Sequence, residues 1–318
     1  MKLSRISQVL SKFEVEKVEL PQLLDCSFFT FGVAEKYKIE IASDLNSKME
    51  AYQLMYKLYS NPDINYAKED SSKMWYSLFN ASPYTKTIVV REISSKKIIA
   101  TVTIVLDTKL GLPLEENYPT QIKNLRSKNR LCAEIISLGF VEEARGSSEI
   151  LIQLFKFAYL IYRGVYGATD FLIMIKPRHS LFYEKILFFS AIGEQVNCFK
   201  INNKPVVLFH LDLEKAQAKA EKASNDEFSL KKDDCEEIFK SFLRAQNNNR
   251  IMQSLKVKTH HSEMTCEELD YFFVQKKNIF KEISPEKLKI LSKLFKNNQS
   301  KIFIENCARL QNLNCILA

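Results

Sequence analysis

The sequence predicts an α+β protein, with one mixed β-sheet flanked by helices and a mainly helical C-terminal region. Three observations support this class. Segments with strand-like alternation lie between segments whose apolar residues recur every three or four positions. Hydrophobic residues make up 46% of the 318 residues, which is enough for a substantial core. Beyond Leu213 the strand-like segments end, and a polar, helix-prone stretch follows.

Strands and helices alternate through the first 213 residues. Strands are predicted over Tyr37–Ser43, Lys86–Ile93, Lys97–Asp107, Leu131–Val141, Phe171–Ile175, Gly193–Lys200 and Lys204–Leu213. Helices are predicted over Leu45–Tyr59, Glu69–Phe79 with Trp75 in the core, Ser147–Tyr166, and the end of the segment Lys176–Phe189. The resulting order, β-α-α-β-β-β-α-β-α-β-β, is typical of helices packed around one mixed sheet.

The length favours more than one domain. We predict an N-terminal extension over residues 1–35, a sheet-containing domain over 36–214, and a linker with a helical region over 215–318. The extension mixes charged and apolar positions without a clear period, which indicates a short helix and a loose connection.

The formal net charge of +8 suggests an acidic partner: nucleic acid, an anionic membrane surface or an acidic carrier protein. Nucleic acid is not expected, because no aromatic–basic recognition motif accompanies the charge. Seven cysteines without a C-x-x-C pair indicate reduced thiols and a cytoplasmic location. Neither a secretory signal nor a membrane span is expected. No metal is expected either, since His260, His261 and Cys266 fit no standard ligand spacing.

Three pieces of sequence, in this order, carry a family resemblance. They are GLPLEENYP…LRSKNRLCAEIISLGF (111–140), KPRHSLFYEKILFF (176–189) and IGEQVNCFKINNKPVVLFHLDL (192–213). They resemble the N-acyl amino acid synthase branch of the GNAT acyltransferases, which is related in fold to the acyl-homoserine lactone synthases. The resemblance implies transfer of a fatty acyl chain from acyl carrier protein to the α-amine of an amino acid. It implies no permanently bound cofactor, since acyl-phosphopantetheine, on a carrier protein or on coenzyme A, is the donor substrate.

Glu134 and Tyr183 are the candidate catalytic residues. The family pattern places a carboxylate at Glu134, and a protonated amine needs a base, directly or through water, before it can attack a thioester. A glutamate inside an apolar strand is costly unless it is paired, and such perturbed acids cluster in active sites. A solvent-facing strand glutamate is the structural alternative. Tyr183 stands where many GNAT enzymes carry the acid that protonates the leaving thiolate, and a core aromatic is an equal alternative.

The resemblance also implies a donor-binding segment. Its residues are Phe140, Val141, Arg145, Gly146, Ser147, Ser148, Arg178 and His179. The usual R-x-x-G-x-G pattern is degraded here, and a serine N-cap explains Ser147 equally well. Because an acidic carrier protein needs cations around the tunnel mouth, further basic residues are candidates: Lys123, Arg126, Lys128, Arg130 and Lys185.

Two departures from the family pattern keep other functions open. Met55 and Ser137 stand where the synthases usually have arginines. The loss of these two cations leaves open how the carboxylate of an amino-acid acceptor is bound, and which acceptor is used. The alternatives are an acetyl- or acyl-coenzyme A N-acetyltransferase of another amine, and a catalytically inactive GNAT-fold binding or regulatory protein. A peripheral membrane contact could release the product.

The segment from Asn278 to the C-terminus resembles the opening helix and first strands of a cyclic-nucleotide-binding domain, without its phosphate-binding cassette.

Overall fold

The computed structural model of the protein describes residues 36–61, 70–225 and 234–317. Its strands are β1 Tyr37–Ile41, β2 Lys86–Glu92, β3 Ile98–Leu106, β4 Cys132–Phe140, β5 Asp170–Ile175, β6 Ser190–Ala191, β7 Val196–Cys198 and β8 Lys204–Asp212. Its α-helices are α1 Leu45–Tyr59, α2 Pro119–Ser127, α3 Ser148–Tyr159, α4 Ser180–Ile186, α5 Leu213–Asn225, α6 Asp234–Gln246, α7 Asn249–His260, α8 Cys266–Asp270, α9 Ile279–Glu282, α10 Pro285–Ser292 and α11 Asn298–Leu317. The predicted extension over residues 1–35 lies outside the described residues.

The sheet has the order β1-β2-β3-β4-β5-β8-β6, and β7 pairs with β8 beside this path. The β4–β5 pair is parallel, whereas the other pairs are antiparallel. This mixed sheet, its flanking helices and the helical C-terminal region confirm the predicted α+β class.

Alternation along the strands gives the sheet two apolar faces. On one, Ile104, Ile135 and Ile173 pack with α3 and α4 in the largest core cluster. On the other, Cys132 and Leu172 pack with the 3₁₀ turn Pro113–Glu116 and with α2. We call these the α3 face and the α2 face. Helix α1 covers the far end of the α2 face, where Met55 lies against Gly139 of β4.

The helices after residue 214 pack into the same cores. The rings of Phe239 and Phe242 on α6 lie 6.2 and 5.5 Å from the ring of Tyr159 on α3. A π-helical turn, Leu160–Val165, continues α3 and brings Gly164 against Met252 of α7. The segment after α8 forms a second cluster with α1, and the Tyr76 hydroxyl donates to the carbonyl of Phe272 at 2.5 Å. The boundary at residues 214 and 215 stays a prediction, although the helices beyond it share the core of the sheet.

Two sequence predictions are wrong. Residues 70–77 are not helical, and only a 3₁₀ turn, Leu78–Ala81, follows them. Their aromatic side chains instead pack on α1, where the N–H of Trp75 donates to the carbonyl of Tyr52 at 2.9 Å. The resemblance to a cyclic-nucleotide-binding domain implies strands near the C-terminus, but this segment forms the helix α11. Its residues Ile304 and Ala308 are buried one helical turn apart.

Other elements are shorter than predicted. Helix α4 ends at Ile186 rather than at Phe189, and the strand expected over Gly193–Lys200 is limited to β7. None of the helices in the described ranges is both long enough and apolar enough to cross a membrane.

Candidate active site

The centre of the sheet contains a gap between two parallel strands. Strand β4 pairs with β3 up to Phe140, but it pairs with β5 only from Cys132 to Ile135. A bulge follows in β4. Two residues of β4, one of them Ser137, lie between the residue that pairs with Thr101 and the residue that pairs with Thr103. Ser137 has φ +52°, in the left-handed region that β-strands avoid. Beyond Ile135, the backbone edge of β4 that faces β5 therefore pairs with no strand of the described ranges.

Glu134 lies directly before this gap. It is fully buried on the α2 face, and its Oε2 accepts a hydrogen bond of 2.9 Å from the N–H of Leu114. Its Oε1 is buried and has no hydrogen-bond partner among the described residues. Burial raises the pKa of Glu134 to about 8, against the opposing effect of the Leu114 hydrogen bond. The structure thus excludes a solvent-facing glutamate and gives instead a buried acid with one free oxygen.

Tyr183 lies on the other face of the sheet. It is buried in the α3-face core, with its ring packed edge-on against Phe155, Phe182 and Phe189. Burial raises the pKa of its hydroxyl. The two candidate catalytic residues are therefore not brought together on one surface. A thioester would contact both only if it lay in the gap between β4 and β5.

The predicted donor-binding turn follows β4. Phe140 and Val141 are half-buried, and the N–H of Val141 donates to the carbonyl of Ile99 at 2.9 Å. Arg145 is exposed, and Gly146 has φ +87°, a conformation that suits glycine. Ser147 caps α3 by accepting from the N–H of Ile150 at 3.3 Å. Ser148 is the first residue of α3, and its side chain lies outside the described part of the structure.

Acidic residues surround this turn. Glu142 and Glu143 form the exposed 3₁₀ turn immediately before it, and Glu149 follows in the first turn of α3. Arg145 is the single basic side chain between residues 140 and 150. The turn is therefore a poor electrostatic match for a pyrophosphate group, although the N-terminus of α3 favours anions.

The cations proposed for the carrier protein lie at opposite ends of the sheet, which corrects their grouping. Arg178 and His179 follow the C-terminal end of β5, and the exposed Lys185 is on α4. Arg126 and Arg130 instead precede β4, near the start of β5. There Arg126 pairs with Asp107 and Glu115 at 2.6 and 2.5 Å, and Arg130 pairs with Asp170 at 2.7 Å. Lys123 and Lys128 are exposed at this second end.

The sequence analysis missed two members of the cation group after β5. Lys176 and Lys204 belong to it: desolvation is the largest cause that lowers the pKa of Lys176, and the charges of Arg178 and Lys204 lower it further. Desolvation, Arg178 and Lys176 likewise lower the pKa of His179. The antiparallel pairing of β8 with β5 places Lys204 near the end of β5, and no signal in the sequence identified it.

Neither family arginine position carries a cation here. Met55 is buried, and a Cβ atom on Gly139 would lie 2.5 Å from its Sδ, so this position packs α1 against β4. Ser137 forms the bulge. Among the described residues, no group of three His, Cys, Asp or Glu side chains could hold a metal ion.

Comparisons with known proteins match the part of the chain that contains the sheet. The family model of the N-acyl amino acid synthase FeeM matches residues 50–212. Among solved structures, FeeM from uncultured soil microbes is 21% identical, over 57% of this chain and 94% of that chain, with a TM-score of 0.49. An acyl-CoA N-acyltransferase from Pseudomonas aeruginosa is 13% identical, over 55% and 97%, with a TM-score of 0.36. The AHL synthase LasI is 14% identical, over 55% and 88%, with a TM-score of 0.41. No curated protein matches the chain.

The sheet and the family match together define the class of the protein, which is an N-acyltransferase of the GNAT fold. Because the matched residues span just over half of the chain, the chain belongs to the N-acyl amino acid synthase FeeM family.

Proposed function

We propose that the protein transfers a long-chain acyl group from acyl carrier protein to the α-amine of an amino acid, in the cytoplasm. The observation that carries this proposal is the buried carboxylate of Glu134, with a free Oε1 beside the gap between β4 and β5. With its pKa near 8, Glu134 can take a proton from an ammonium group, directly or through water. The amine then attacks the thioester carbonyl, the C–N bond forms, and the C–S bond breaks.

The leaving thiolate needs a proton, and Tyr183 is the residue we assign to this step. Its hydroxyl stays protonated at neutral pH because burial raises its pKa. It lies on the α3 face, where the family's donor arm would enter beside α3. The proposed roles of Glu134 and Tyr183 thus require the scissile thioester to lie in the gap.

Two observations favour a carrier protein over coenzyme A. The turn Arg145–Ser148 is flanked by Glu142, Glu143 and Glu149, which would repel the phosphates of coenzyme A. The end of β5 instead carries Lys176, Arg178 and Lys204, which would attract an acidic carrier surface. We place the carrier there, with its phosphopantetheine arm directed toward Phe140 and Val141.

Product analysis tests the proposal. The purified chain would be incubated with acyl carrier protein and with coenzyme A bearing the same long-chain acyl group, and separately with acetyl-coenzyme A, each with a mixture of amino acids. We expect N-acyl amino acids, formed faster from the carrier, and formed about 100-fold or more slowly by the Glu134→Gln variant. Preference for coenzyme A would contradict the donor, short acetylated products would favour an acetyltransferase, and no product with any donor would indicate an inactive relative.

A further inference from the structure

A small polar cavity lies at the junction between the sheet and the C-terminal helices. It has a volume of about 10 Å³, close to the space that one water-sized particle needs. Residues of α1 and of the start of β2 line it on one side, and Ser262 and Met264 close it on the other. The cavity exists only where the C-terminal region packs on the sheet.

Two buried donors in this cavity have no acceptor. The Nζ of Lys86 and the Oγ1 of Thr85 are both buried, and neither has a hydrogen-bond partner among the described residues. Lys86 is only 1% exposed, so water outside the protein does not reach its ammonium group. A buried ammonium without a partner costs several kcal/mol, so two neighbouring donors without an acceptor indicate an occupant that supplies one.

The nearest anionic groups do not supply this acceptor. Glu268 approaches from the C-terminal side, but its Oε1 accepts from Lys48 at 2.8 Å and its Oε2 from the N–H of Thr265 at 3.1 Å. The charge of Lys48 is balanced by this pair, whereas the charge of Lys86 is not. Burial lowers the pKa of Lys86 to about 7; the charge of Glu263 opposes this shift without a hydrogen bond to Nζ, and the ammonium form predominates below pH 7.

We propose that this cavity binds one small monovalent anion of the size of chloride, held by the Lys86 ammonium and the Thr85 hydroxyl. The excess positive charge favours an anion over water, and the space excludes a carboxylate or phosphate group. The flexible side chain of Met264 can adjust to an ion slightly larger than water. Because both regions line the site, the anion stabilises the packing of the C-terminal helices on the sheet. The proposal is independent of the proposed function.

Thermal unfolding of the full chain tests the site. Melting would be followed at pH 6, where Lys86 is mostly charged, in sodium chloride and in sodium gluconate at equal ionic strength. We expect chloride to raise the Tm saturably, by about 2 °C or more, because a ligand that binds only the folded state stabilises it. Lys86→Met should abolish the chloride response. Lys97→Met, which removes an exposed lysine, should retain it. Equal Tm values of the wild type in both salts would mean that the cavity holds water only, and would overturn the proposal.

Bromide provides a second readout that does not depend on the folding of a variant. Crystals of the wild-type chain grown in bromide should show an anomalous peak within hydrogen-bond distance of Lys86 Nζ and Thr85 Oγ1. Peaks only at surface lysines would also overturn the proposal.

Discussion

The N–H of Leu114 and the carboxylate of Glu134 are joined by a hydrogen bond of 2.9 Å that connects the turn Pro113–Glu116 to the central strand. The bond fixes Oε2 and leaves Oε1 as the oxygen with free acceptor capacity. Leu114 itself is fully buried above the carboxylate. An amine can therefore reach Oε1 only through a bound water or after a shift of this turn.

Replacement of Glu134 by Gln should reduce acyl transfer by about 100-fold or more, because a positioned base contributes that much. The amide keeps the shape of the side chain and can still accept from Leu114. Initial rates with saturating donor measure the effect, and circular dichroism checks the fold. Glu143→Gln, which removes an exposed carboxylate just after β4, is the matched control and should keep full activity. Equal rates for the two variants would remove Glu134 from the mechanism.

The pH dependence of kcat/KM should report the ionisation of Glu134. The base acts in its deprotonated form, and burial raises its pKa from 4.5 to about 8. The rate should therefore increase with pH up to about 8, and this ionisation should be missing from the residual rate of Glu134→Gln. A profile that is flat between pH 6 and 9 would contradict the assignment.

The same ionisation should appear in the stability. Between pH 4.5 and about 8, folded Glu134 retains a proton that the unfolded chain has released, so its contribution to stability falls as the pH rises through this range. Denaturant unfolding at pH 6 and pH 9 measures this. The free energy of unfolding of wild type, relative to that of Glu134→Gln, should decrease from pH 6 to pH 9. An unchanged difference would show that the acid is not perturbed.

The helices after residue 214 should be required for a stable core. Phe242→Ala removes a side chain that is 2% exposed and packs against Tyr159, so it should cost about 3–5 kcal/mol in the free energy of unfolding. Val257→Ala alters a residue of α7 that is 57% exposed and should cost less than about 0.5 kcal/mol. Urea unfolding measures both variants. If Phe242→Ala left the free energy of unfolding unchanged, the sheet would not need the C-terminal helices for its stability.

Charge reversal at Arg178 should weaken use of the carrier protein. Arg178→Glu should raise the KM for acyl carrier protein about tenfold at low ionic strength, and less at high salt, because exposed charges are screened. Lys128→Glu makes the same change on an exposed residue at the other end of the sheet and should have little effect. If the KM for acyl carrier protein depended on salt in the same way for both variants, the carrier would not bind at the end of β5.

Much of the fold follows from local sequence patterns. Alternation and helical spacing predicted β1 to β5, β8, α1 and α3, because each of these elements buries one regular apolar face. The segment before the turn Leu78–Ala81 was predicted as a helix with Trp75 in the core. Its conformation is instead set by packing against α1 and against Phe272, a residue almost 200 positions away, and no local pattern contains that contact.

The site was predictable in part. An apolar strand containing one glutamate suggested a buried acid at Glu134, and the structure shows one. The grouping of the basic residues was wrong, because the sequence alone did not show that the strands next to them pair in parallel. Arg130 precedes β4 and Arg178 follows β5, so the length of the strands separates them. The unpaired Lys86 appeared as an ordinary strand residue, and its enclosure depends in part on Ser262 and Met264, which are far away in the sequence.

The positions of Glu134 and Tyr183 on opposite faces bear on the kinetic order of the proposed reaction. A gap between two strands of one sheet adjoins both faces, so the acyl donor and the amine acceptor can approach it from different sides. Neither substrate then has to vacate the enzyme before the other arrives. We therefore expect direct transfer of the acyl chain between the two bound molecules within a ternary complex, without a covalent acyl-enzyme, and double-reciprocal plots of the rate that intersect instead of running parallel.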